Sequence, residues 1–183
     1  MGLKYYVDMN DAPLTDLLWK ASIKTENQLV DFSDSSWKNC PDTGRSTVSY
    51  IIFYQGGSIY HVIHVPVTVA QSSAGSEYNV AFTAGMDLAH FRMSIHELFN
   101  KNPYIVPEEA PLIILDSKSA VCMDNNGNDT KHTRHISSRI HFVRNGEKCK
   151  MQKIDWCEGG LQLEEIGTKN VSELDLTPRM KLW

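Results

Sequence analysis

The chain has 183 residues, of which 42% are hydrophobic and 22% charged, and a formal net charge of −4. These totals fit one soluble globular domain, or one domain with an arm; no apolar stretch is long enough to span a bilayer, and no basic-then-apolar signal opens the chain. An acidic balance gives no global attraction to nucleic acid, so such contact needs a local basic patch, and an acidic cluster needs a metal ion to approach phosphate.

Cys40, Cys122, Cys149 and Cys157 are scattered. That spacing argues for free thiols in a reducing compartment, cytoplasmic or nuclear, rather than a disulfide framework.

Residues 1–27 read as a weakly patterned arm, with a short strand over 3–8 and a helical turn or two over 14–21; the domain proper is 28–183. Residues 29–34 alternate as a strand does. Val30, Phe32 and Asp34 share one face, so Asp34 prolongs an apolar face at the carboxyl end. Trp37 and a polar loop lead to a second strand over 45–54. It meets a third over 58–65 across Gln55-Gly56-Gly57, a hairpin signal. Pro66 ends that strand or marks an edge.

Ser72 and Ser73 supply an N-cap for a long helix reaching about Asn100. Val80, Ala81, Ala84, Leu88, Phe91, Ile95 and Leu98 form one helical face. Glu77 lies on that stripe, either as an acid favoured by the helix dipole or as one aimed at the core side.

Pro111 precedes Leu112-Ile113-Ile114-Leu115, an apolar run ending abruptly in Asp116. So short a run reads as a strand buried on both faces, whose carboxyl end is where ligands of open α/β sheets bind. The plainer alternative is that Asp116 caps a helix starting near Ser119. That helix runs to about Met123, and a turn-rich loop covers 124–129. A further helix carries His135, Ile136, Ile140, Phe142 and Val143 and stops near Asn145-Gly146. A last strand over 150–156 is broken by Glu158-Gly159-Gly160, and 163–168 forms a short helix with Leu163 and Ile166 inward. The order implies a mixed α/β sheet with helices packed on it.

Two strand-end aspartates, one helix acid and an acid on the final helix are what two-metal phosphoryl chemistry requires. Paired divalent cations activate water and stabilise the leaving oxygen of an in-line displacement, and hard Mg²⁺ prefers carboxylate oxygen.

Seven motifs then occur in a familiar order: Phe32-Ser33-Asp34-Ser35-Ser36-Trp37, Gly44-Arg45-Ser46-Thr47, Gln71-Ser72-Ser73 with Glu77-Tyr78, Ile113-Ile114-Leu115-Asp116 with Ser119-Ala120, Thr130-Lys131-His132, His141-Phe142-Val143-Arg144, and Gln162-Leu163 with Thr168-Lys169. Together they resemble the ribonuclease H domain that closes the polyprotein of copia-type LTR retrotransposons, over residues 28 to 170. The resemblance implies a ribonuclease H-like five-stranded mixed sheet, strand 2 antiparallel, with helices on both faces. It makes 1–27 a remnant of the preceding connection. It also implies an endoribonuclease that cuts the RNA strand of RNA–DNA hybrids during reverse transcription, with two Mg²⁺ (or Mn²⁺) ions and an upstream reverse transcriptase domain as partner. Asp34, Glu77, Asp116 and Glu165 then take the catalytic, metal-binding positions.

The chain departs from the family in three places. The family's Tyr-Ser-Asp-Ala-Asp-Trp is Phe32-Ser33-Asp34-Ser35-Ser36-Trp37, without the second aspartate. Gly75 replaces the first of two glutamates at the long-helix start. Where the family reads Gln-Leu-Ala-Asp-Ile-Phe-Thr-Lys, this chain has Gln162-Leu163-Glu164-Glu165-Ile166-Gly167-Thr168-Lys169. Glu165 stands where Asp is expected, one methylene longer, although related integrases and transposases carry a glutamate on this helix. The reading is retained metal binding with lowered activity. Its rival is a catalytically weak or inactive ribonuclease H-like scaffold with a binding or assembly role.

Lys118, Lys131, His132, Arg134 and Arg139 form the densest basic stretch, either phosphate contacts or a solvated face. His132, His135, His141 and Cys122 lack the spacing of a zinc site. His61 and His64, three apart in a strand, point to opposite faces.

Overall fold

In the computed structural model the described residues are 28–55, 57–99, 109–125, 137–158 and 162–168. The arm expected over 1–27, and Lys131, His132, Arg134 and His135, lie outside them. Strands β1 (Val30–Ser36), β2 (Thr47–Tyr54) and β3 (Gly57–His64) are followed by helix α1 (Ser73–Leu98). Then come β4 (Leu112–Leu115), α2 (Lys118–Asn125), α3 (Ser137–Lys148), β5 (Lys153–Trp156) and α4 (Glu165–Thr168).

The strands form one sheet in the order β3-β2-β1-β4-β5. β2 runs antiparallel to β1 and β3, whereas β1, β4 and β5 are parallel. This is the mixed sheet expected, and its parallel strands deliver their carboxyl ends to a common edge. β1 and β4, in the middle, are buried along nearly their whole length. That explains why the Leu112–Leu115 run carries no polar alternation.

The sheet buries both faces. Leu29, Val48, Tyr50, Ile52, Ile113 and Leu115 pack under α1 with Tyr78, Ala81, Ala84 and Leu88. Val30, Phe32, Ile51, Phe53, Leu112 and Ile114 form the second layer with Cys157 and Leu163. Alternate side chains of β1 therefore serve different layers, with Asp34 on the second.

Helix α3 does not stop at Asn145-Gly146 but runs through both to Lys148. Met151 N donates to Gly146 O at 2.8 Å and Lys150 N to Glu147 O at 3.0 Å, with Lys150 at φ 55. This is a Schellman stop, with lysine in the left-handed position that glycine more often takes. Gly146 serves packing instead. A Cβ there would stand 3.0 Å from Cγ of the buried Gln152, which also lies against Gly85 of α1.

Candidate active site

The carboxyl-end edge of the sheet brings three of the expected acids together. Asp34 lies on β1, two residues before the strand ends, and is 2% exposed. Glu77 sits just beyond the first turn of α1 and is 4% exposed. Asp116 follows β4 directly and is half-buried. One carboxylate oxygen from each lies within 4.8 Å of the other two.

Local sequence explains each placement. Ser72 caps α1, accepting from Gly75 N at 3.0 Å. This leaves Glu77 beyond the first turn, free of a capping role, and turns it toward β1. Its Oε1 accepts from Ser35 N at 3.3 Å, and the Ser35 and Ser76 hydroxyls bond beside it. For Asp116 the capping alternative is taken by its neighbour: Ser117 Oγ accepts from Ala120 N at 3.3 Å at the start of α2. The backbone of Asp116 is held from β5, where Trp156 Nε1 donates to its carbonyl at 2.9 Å.

The last described segment, 162–168, is laced onto this edge. β1 and β4 pair only as far as Phe32 and Ile114. At the fork beyond, the Gln162 amide donates to Ser33 O at 2.7 Å and to Ile114 O at 3.3 Å. Thr168 Oγ1 then donates to Asp34 Oδ2. Gln162 and Thr168, at the two ends of the described part of the closing motif, thus act as fasteners. Glu165 opens α4 between them; its side chain lies outside the described part.

Sequence reasoning missed the neighbouring Glu164. It is fully buried, its Oε2 bonded to Ser49 Oγ and 3.2 Å from His61 Nε2, and its Oε1 meets no donor among the described residues. A Cβ at Gly167 would stand 2.7 Å from Ser49 Cβ and 3.1 Å from Glu164 Oε2. Glu for Ala and Gly for Phe, two departures from the family pattern three residues apart, therefore fit one another. That pairing was the signal available.

Asp31 was missed as well. It is wholly buried on β1, hydrogen-bonded by the Ser33 hydroxyl. Burial pushes its carboxyl well above the usual carboxylate range; the Ser33 bond opposes the rise, and the Glu164 and Asp87 carboxylates add to it.

Of the basic candidates described, Lys118 is exposed, its ammonium 4.1 Å from the Trp156 ring centroid. Arg139 instead joins α3 to α1, through a bond to Asn79 and a guanidinium 5.8 Å from the Phe82 ring.

Three carboxylates so close repel one another unless protonated or bridged by a cation, and burial of two sharpens that need. The donor set is wholly carboxylate oxygen, which fits a hard divalent cation such as Mg²⁺ or Mn²⁺.

No family model matches the chain. It is 26% identical over 151 residues to the retrovirus-related Pol polyprotein from transposon TNT 1-94 of Nicotiana tabacum, an alignment covering 80% of this chain but 11% of the relative. Among solved structures it is similar to LC11 ribonuclease H1, crystallised with an RNA/DNA hybrid, at TM-score 0.53 and 9% identity, covering 74% of this chain and 88% of that one. Ribonuclease H1 of Halobacterium salinarum NRC-1 aligns at TM-score 0.51 and 13% identity, covering 74% and 89%. The sheet order and the structural neighbours agree on a ribonuclease H-like fold, and in sequence the chain is similar to a stretch of a retrotransposon Pol polyprotein.

Proposed function

We propose that the chain is a metal-dependent endoribonuclease that hydrolyses the RNA strand of RNA–DNA hybrids, working beside a reverse transcriptase domain. The observation that carries this reading is the convergence of Asp34, Glu77 and Asp116 from a strand, a helix and a second strand within 4.8 Å at one sheet edge. A similar protein of known structure was crystallised on an RNA/DNA hybrid, which supports the substrate class.

In this reading Asp34 and Asp116 would hold divalent metal, with Glu77 and Glu165 completing the set. Bound divalent metal supplies an activated water and neutralises charge at the scissile phosphate. The protein's own work is positional. Thr168 fixes one oxygen of Asp34, and the Ser35 amide orients Glu77 toward the ribose side of the RNA strand. A 2′-hydroxyl there distinguishes RNA from DNA.

The test is cleavage of a labelled hybrid in Mg²⁺. Activity is expected to vanish in EDTA and to drop on the order of 10²–10³-fold in Asp116→Asn, the range for losing a preorganised electrostatic partner. Cleavage surviving either treatment refutes the mechanism. The inactive-scaffold alternative is separated by thermal melting: Mn²⁺ stabilises a metal-binding enzyme and leaves a silent scaffold unshifted.

A further inference from the structure

Two tryptophans stand at the same sheet edge as the acids, in matching surroundings. Trp37 follows β1, and its Nε1 donates to Ala70 O at 3.0 Å. Trp156 ends β5, and its Nε1 donates to Asp116 O at 2.9 Å. Each indole is 39% exposed, and each carries a lysine over its ring: Lys38 Nζ lies 4.7 Å from the Trp37 centroid and Lys118 Nζ 4.1 Å from that of Trp156. In the order β1-β4-β5, the strand that leads into Asp116 lies between the two that lead into these pairs. At the usual strand spacing their bases are roughly 10 Å apart.

A surface tryptophan bonded through its N–H is a rigid platform, with little entropy left to lose on contact. The ammonium above each ring belongs to an exposed lysine and carries three N–H donors to offer a phosphate. We infer that Lys38–Trp37 and Lys118–Trp156 are twin backbone grips, which seat the sugar–phosphate chain of the bound hybrid on either side of the acid cluster. Each lysine takes a phosphate and each indole rim lies against a sugar. This supplies the local positive charge that a chain of net charge −4 needs beside three carboxylates. The inference rests on the nucleic-acid reading of the site.

The experiment is binding of a fluorescent RNA–DNA hybrid in Ca²⁺, measured across a KCl series. Each phosphate contact removed makes the plot of log K against log salt shallower by roughly 0.7–0.9. Lys38→Gln and Lys118→Gln are each expected to lose about that much, and the double variant about twice as much. Lys153→Gln, at the opposite end of β5, is expected to keep the wild-type slope. Lysines that merely cover their tryptophans would change the melting temperature and leave the slope intact, and that result overturns the grips alone. Failure of the wild-type protein to bind hybrid overturns the function first and the grips with it.

Discussion

The hydroxyl of Thr168 donates to Oδ2 of Asp34 across 134 residues of chain. The bond links the last described helix to one of the three clustered acids. Thr168→Val keeps the shape and removes the donor. Losing a buried bond to a charged group costs about 1.5–3 kcal/mol, so denaturant unfolding should register that destabilisation. Hybrid cleavage should decline with it, and an unchanged rate would separate Thr168 from the site's geometry.

Glu165 is one methylene longer than the aspartate of the family pattern. A displacement near 1 Å can cost roughly 10²-fold in rate. Glu165→Asp is therefore expected to speed hybrid cleavage, with little change in melting temperature. A slower Asp variant would mean that the surrounding chain is built for glutamate.

Asp31 imposes a pH dependence of unusual sign. Its folded pKa lies above the unfolded value of about 3.9, so between the two the native state binds more protons than the unfolded state. The stability contributed by protonated Asp31 is fully present below about pH 3.9 and is lost as pH rises through the folded value. Asp31→Asn keeps a partner for the Ser33 hydroxyl and removes the titration. Subtracting its stability–pH curve from that of the wild type should leave a difference that widens with rising pH, and a flat difference would contradict burial of a neutral acid.

Glu164 and Gly167 share one space beside Ser49. Restoring the family's side chains singly, as Glu164→Ala or Gly167→Phe, leaves either a cavity with Ser49 deprived of its carboxylate acceptor or a ring driven into Ser49. Each should destabilise by roughly 1–3 kcal/mol. The double variant is expected to be more stable than the sum of the singles predicts, by at least about 0.5 kcal/mol. Strict additivity in denaturant titrations would show that the two positions are independent.

The sheet was legible because its signals are local: alternation in β1, the hairpin at Gln55, and an apolar run cut short by Asp116. Asp34, Glu77 and Asp116 were found by where those patterns place acids, and by motif order. What stayed hidden depends on distant partners. Gly146 looks like a helix stop until Gln152 is seen against it. The double glutamate at 164–165 gives no hint that its first member is swallowed between Ser49 and His61. Trp37 and Trp156 are 119 positions apart in sequence, and only the parallel sheet reveals them as equivalents.

Gln162 has one more implication. Its single amide plugs the gap where two central strands part, and it arrives only after the strands, α1 and α3 are complete. A product shortened by a premature stop ahead of that residue would keep most of its hydrophobic interior. It would nevertheless leave the Ser33 and Ile114 carbonyls without that donor and Asp34 without its tether. Truncated copies should therefore assemble a recognisable body with a slack, inoperative edge.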